Sequence, residues 1–200
     1  MEELKKYLPA NSYKKIVTHF DGYFELKIVR PRKTKLGDFR PALTKSIASK
    51  ITINNDLNPY SFLITLVHEI AHHNVWLQTK KRILPHGNEW KTEFKYLMLP
   101  FLHPSILPED IIKAVSKYLI NPKASSCSDV NLYRTLSLYD IEEKTKLLLE
   151  TLPQNSLFSL GNQRIFKKGM KLRTRFKCTE ISTKKQYFVH GLAAVKIVDK

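Results

Sequence analysis

A chain of 200 residues can bury one hydrophobic core with an appendage, or two small cores, and 42% hydrophobic with 26% charged residues excludes wholesale disorder. No apolar run approaches the roughly 20 residues that span a bilayer, so a membrane partner is not expected. The 34 Lys and Arg against 18 Asp and Glu give a net charge of +16, a field that attracts polyanions and makes DNA or RNA a plausible partner. Cys127 and Cys178 form no Cys-x-x-Cys pair, and the N-terminus carries no apolar stretch with a cleavage site, so the expected setting is the reducing cytoplasm.

Along the chain, Leu4, Tyr7, Leu8, Ile16, Val17 and Phe20, interrupted by Pro9 and Asn11-Ser12, predict a short helix or two. Residues 25–30, 33–40 and 49–54 alternate or are rich in β-formers and predict a small antiparallel sheet; Gly37-Asp38 lies inside the second of them. From Pro59 to Gln78 the apolar spacing becomes helical, with Asn58-Pro59 as the start signal. A basic loop (Lys80, Lys81, Arg82) and Pro85 follow, then helices at about 88–99 and 109–120. Residues 122–146 read as a polar linker or irregular segment, which divides the chain into 1–121 and 147–200. The last part holds brief strands separated by turns at Gly161-Asn162 and Lys168-Gly169, expected to form a small barrel or curled sheet.

The predicted helix contains His68-Glu69-Ile70-Ala71-His72. Positions four apart share a helix face, so His68 and His72 can bind one zinc ion while Glu69 stands beside the metal as general base. A purely structural site would not need Glu69. Catalytic zinc takes three protein ligands and keeps a position for water, and His86, following Pro85 and preceding Gly87, is the candidate third. His73 points about 100° from His72 and is expected to support the site or face solvent. His19, His103 and His190 have no spacing argument.

His68-Glu69-x-x-His72 followed by His86-Gly87-Asn88-Glu89-Trp90 resembles the SprT-like, Spartan-related family of zinc metallopeptidases, and Ile51-Thr52-Ile53-Asn54 resembles the strand that precedes the family's active-site helix. The resemblance covers roughly residues 10–120. It implies an α+β, minigluzincin-like domain in which a small sheet packs against the active-site helix, with His86 as third zinc ligand, followed here by a small all-β segment. Many relatives carry a four-cysteine zinc ribbon near the C-terminus; this chain has Cys178 alone there.

Residues 161–200 hold eleven Lys or Arg against two acidic residues, so the basicity is concentrated at the end of the chain. Arg164, Lys167, Lys168, Lys171, Arg173, Arg175 and Lys177 interleave with Phe166 and Phe176. If 171–177 is one strand, alternation places Lys171, Arg173, Arg175 and Lys177 on one face, suited to a phosphate backbone of any sequence. A solvated edge-strand face is the plain alternative. The expected function is a zinc-dependent endopeptidase acting on protein substrates; the resemblance to the SprT-like family extends these to proteins bound or crosslinked to DNA. The rival is a non-catalytic nucleic-acid-binding protein with a zinc-stabilised fold, which a fourth protein ligand would favour.

Overall fold

The computed structural model describes residues 2–20, 24–32, 34–44, 47–79, 84–123, 129–140, 147–161 and 163–198. The basic loop expected at Lys80, Lys81 and Arg82 lies outside them. The fold is mixed α+β, and the chain divides into two compact units, Met1–Asp140 and Ile141–Lys200. No helix among the described residues is long and apolar enough to cross a membrane.

The first unit opens with a 3-10 turn at Glu2–Tyr7 and helix α1 (Tyr13–Val17), then builds a sheet from β1 (Phe24–Val29), β2 (Gly37–Arg40) and β3 (Ser49–Asn54). β3 is central, with β1 on one side and β2 on the other. β2 runs antiparallel to β3, but β1 runs parallel to it, which corrects the expectation of an antiparallel sheet. Alternation marks a strand without giving its direction, and the chain from 30 to 48 is long enough for the crossover that a parallel pair requires. The guanidinium of Arg32 holds that crossover in place: it donates to Asn54 Oδ1 (2.8 Å) and Thr52 Oγ1 (2.9 Å), while Asn54 Nδ2 donates to Lys35 O (3.0 Å). The turn leading into β2 is thereby tied to the central strand.

Helix α2 (Pro59–Gln78) starts where Asn58 Oδ1 accepts from the Tyr60 and Ser61 amides at 3.1 and 2.9 Å, with Pro59 at a position whose N–H is not needed. It packs on the sheet and on α3 (Asn88–Met98). Phe62, Leu63, Leu66, Ile70 and Ala71 are all fully buried, so the helix is covered on nearly every side rather than along one stripe. Phe62, Leu63, Leu66 and Ile70 each contribute about 1.5–3 kcal/mol by leaving water. The same core includes Trp90, Phe94 and Phe101, and Ile111 and Val115 of α4 (Glu109–Ile120).

The stretch 122–146, expected to be irregular, carries helix α5 (Val130–Ser137). Asp129 caps it by accepting from the Asn131 and Leu132 amides, and Leu132 and Leu136, one turn apart, join the core of the first unit. The polar residues around this short apolar pair mask it in the sequence. Residues 124–128 and 141–146 lie outside the described residues.

The second unit is a six-stranded antiparallel sheet in the order β4-β9-β5-β6-β7-β8: β4 (Leu147–Leu148), β5 (Leu157–Ser159), β6 (Ile165–Leu172), β7 (Arg175–Glu180), β8 (Gln186–His190) and β9 (Ala194–Ile197). Its core is Leu149, Leu152, Phe158, Phe166, Phe176, Cys178 and Val195. β6 bulges between Lys168 and Lys171, where a Cβ on Gly169 would stand 2.1 Å from Lys177 O, so only glycine fits.

Leu132 is fully buried, so Leu132→Ala should destabilise the first unit by about 2–5 kcal/mol in denaturant unfolding followed by tryptophan fluorescence. A change below about 0.5 kcal/mol, the usual size for a surface position, would return 122–146 to linker status.

Candidate metal centre

His68 and His72 rise one turn apart from α2, at the window where its covering is incomplete; both are half-buried between buried neighbours. His86 arrives from the segment ahead of α3, where the Gly87 amide donates to Leu84 O (3.0 Å) and the Gly87 carbonyl accepts from the Lys91 amide at the helix start. Trp90, fully buried in the first turn of α3, sets all three rings: its centroid lies 4.5 Å from His68, 5.3 Å from His72 and 4.8 Å from His86. Its indole N–H donates to His68 O at 3.3 Å. Asn74 Nδ2, donating to Glu93 Oε1 (2.7 Å), adds a polar tie between α2 and α3.

The three Nε2 atoms converge. His68 to His72 is 3.2 Å, His72 to His86 3.0 Å and His86 to His68 3.2 Å. Burial holds all three imidazoles neutral: it pushes His68 well below the ordinary range, takes His72 down to about 3 with His86 adding to the effect, and lowers His86. Neutral rings with nitrogens turned toward one point can hold a metal ion, because a triangle of three such atoms lacks the protons to satisfy itself. A tetrahedral zinc with bonds of about 2.0–2.1 Å would space its nitrogens about 3.3–3.4 Å apart, a few tenths of an ångström from the observed triangle. The residues fit the ion. Among the described residues the group that could hold it consists of these three alone.

Glu69, the next residue along α2, is 6% exposed and stands outside that triangle. Its carboxyl lies under β2 and accepts from the Phe39 backbone N–H. Burial pushes its pKa up to about 8 and Asp38 adds to the rise, against the opposing pull of Arg32, the Phe39 amide and Lys35. Asp38 is itself held between Lys35 (2.7 Å) and Arg40 (2.8 Å). Gly37 makes this close passage of strand over helix feasible: a Cβ there would meet Glu69 Oε1 at 2.5 Å and Thr65 Cγ2 at 2.7 Å. A glycine inside a strand pattern signals such an approach, and that was the available sequence clue.

His73 is not a member of the cluster. It is fully buried on the sheet side of α2, with Nδ1 2.8 Å from Ser49 Oγ and its ring edge-on to Phe24 and Phe39. Its role is to seat α2 on β1, β2 and β3. His103 pairs with Ser105, and His190 Nδ1 accepts from the Leu192 amide.

The basic residues of the second unit are arranged otherwise than expected. Residues 171–177 are not one strand: β6 ends at Leu172, Arg173 and Thr174 turn the hairpin, and β7 begins at Arg175. Lys171 stands opposite Phe176, on the core-bearing face, whereas Arg175 pairs with Leu172 and shares the outer face with Lys177. Lys171, Arg173, Arg175 and Lys177 therefore do not share a face. Lys168 points inward, 4% exposed, its ammonium donating to Glu150 O and Leu152 O and lying 4.2 Å over the Phe176 ring. Arg164 is paired with buried Glu180. The outer face of β6, β7 and β8 carries Lys167, Arg175 and Lys177 around Phe188, which is 56% exposed and directly opposite Lys177. The one carboxylate in residues 165–190, Glu180, faces inward.

In comparisons with protein-family models, with curated proteins and with solved structures, nothing matches this chain.

Gly37→Ala should lower stability by about 1–3 kcal/mol, the usual range for overpacking, and Glu69→Ala in the same chain should return part of that loss by removing the atoms the methyl strikes. Thermal or urea unfolding of the two single variants and the double variant checks this. Strictly additive losses would mean that strand and carboxyl are not in contact.

Proposed function

We propose that the first unit is a zinc-dependent metallopeptidase, and that it is a minigluzincin-like member of the SprT-like type. The observation that carries this reading is the convergence of three neutral imidazoles, His68, His72 and His86, beside a carboxyl that is not one of the ligands. A bound zinc supplies a Lewis acid and lowers the pKa of a coordinated water to about 7. The chain supplies the rest. With the positive charge of the bound zinc opposing the rise that burial imposes, the ionised Glu69 carboxylate, held in position by the Phe39 amide, takes the proton from the attacking water and delivers it to the leaving amine. Trp90 keeps the three rings oriented and excludes water from behind them. A three-residue group, without a fourth protein ligand among the described residues, favours an enzyme over a structural site. The buried free thiol of Cys178 accords with a cytoplasmic setting.

Zinc analysis should find about one equivalent per wild-type chain and much less in His72→Ala and His86→Ala. Glu69→Gln should keep the zinc and lose peptide hydrolysis by about a hundredfold or more, since the amide preserves shape and cannot take the proton. Near-normal turnover in Glu69→Gln would overturn the mechanism, and full zinc retention in His86→Ala would remove that ligand.

The second unit supports recruitment to nucleic acid. Its outer face offers three cations and an exposed aromatic ring with no carboxylate among them, a combination that suits a sugar-phosphate backbone with an unpaired base over the ring. Proteins bound or crosslinked to DNA are then the expected targets. Changing Lys167, Arg175 and Lys177 to Gln should weaken binding to single strands of any sequence and flatten the slope of log affinity against log salt by about 2. Fluorescence anisotropy at several salt concentrations measures this. A smaller effect than that of Lys171→Gln with Arg173→Gln would move the contact to the hairpin tip. If binding follows this pattern while zinc-loaded wild type hydrolyses no peptide, the non-catalytic binding protein becomes the better reading.

A further inference from the structure

Two aromatic side chains of the first unit stand beside the histidine cluster and are only partly covered, each ring resting on buried His73. Trp76 follows His72 by four residues as His72 follows His68, so the three rise along one side of α2. Phe39 reaches the same row from β2, on the strand face it shares with Gly37, toward α2. Its ring lies 6.3 Å from that of His72 and nearly parallel to it (9°), and 6.2 Å from that of Trp76. Phe62, Trp90, Phe94 and Phe101 are fully buried in this unit, whereas Phe39 and Trp76 are only half-buried. Leu84, two residues before His86, is 77% exposed.

Core packing would have closed over these rings as it does over Trp90. What is left is apolar surface directly beside polar reacting groups, the usual composition of a site that holds one apolar side chain while a few polar atoms do the chemistry. The geometry points to Phe39 and Trp76 as the subsite that receives a bulky apolar side chain, aromatic or branched aliphatic, of the substrate polypeptide. Folded proteins bury such side chains, so the substrate class is an extended, unfolded segment bearing them. This inference rests on the peptidase reading and names the substrate of that site.

The test uses peptides of one length in which a single Phe, or a Gly in its place, is moved along a Gly-Ser scaffold. Binding is measured by anisotropy on zinc-loaded Glu69→Gln full chain, and turnover is measured on wild type. At the position that meets the subsite, the Phe peptide should bind about tenfold or more tightly than the Gly peptide, the worth of covering most of one such side chain. That ratio should fall toward one in Trp76→Ala and in Phe39→Ala, each made in the Glu69→Gln background, with zinc content unchanged. A carboxymethylated, permanently unfolded protein should compete for the site and its native form should not. Equal binding of Phe and Gly peptides at every position, a ratio that survives both variants, or equal competition by the native form would overturn the subsite. Absence of turnover in wild type with the binding ratio intact would instead overturn the peptidase reading and leave the subsite standing.

Discussion

The first unit depends on how completely α2 is buried. A helix whose residues from Phe62 to Ala71 are almost all excluded from water has no freedom to rotate, because any turn would carry an imidazole into the core and a leucine out of it. His68 and His72 are therefore presented at one place by the hydrophobic energy of their neighbours. The same burial removes their charge. One constraint sets both the position and the protonation state of two of the three nitrogens.

Glu69 shows what that constraint demands of the rest of the unit. A buried carboxyl on a helix covered on nearly every side must lie under something, and here it is β2. The strand can approach because residue 37 has no side chain, and it stays there because Arg32 laces the preceding turn to Thr52 and Asn54 on the central strand. Arg32 also opposes the rise that burial and Asp38 impose on the carboxyl. Placement of β2 and tuning of Glu69 thus share a residue. Phe39, two residues after Gly37, carries the strand's side chains on toward Trp76.

What could be read in the sequence was what local chemistry determines. Asn58-Pro59 fixes the start of α2, and four-residue spacing puts His68 and His72 on one face without knowledge of the fold. His86 could be named only as a candidate from its place between Pro85 and Gly87, with the family resemblance as support, since no spacing rule carries a ligand across 13 intervening residues. Features set by distant parts of the chain were not legible. The parallel pairing of β1 with β3 leaves no mark in either strand, and α5 is recognisable only once Leu132 and Leu136 have a core to enter. The turn at Arg173-Thr174 has no Gly, Asn or Pro to announce it; Arg173 adopts a φ of 37°, a conformation that sequence patterns assign to glycine. Reading through that turn as strand placed four cations on a face that does not exist.

The second unit shows why net charge is a poor guide to a binding surface. Of the seven cations between Arg164 and Lys177, one is buried as a clamp on two backbone carbonyls, one is matched to a carboxylate held near a pKa of about 2, and two sit at or beside the hairpin tip off the outer face. Three are left to act together. Their effect comes from what surrounds them: Lys168 alternates inward with Phe166 ahead of the bulge, and the inward alternation of Phe176, Cys178 and Glu180 removes the one carboxylate of residues 165–190 from their side. A face of three unopposed cations around an exposed ring has a stronger claim on a phosphate chain than a run of seven whose charges are partly spent within the fold.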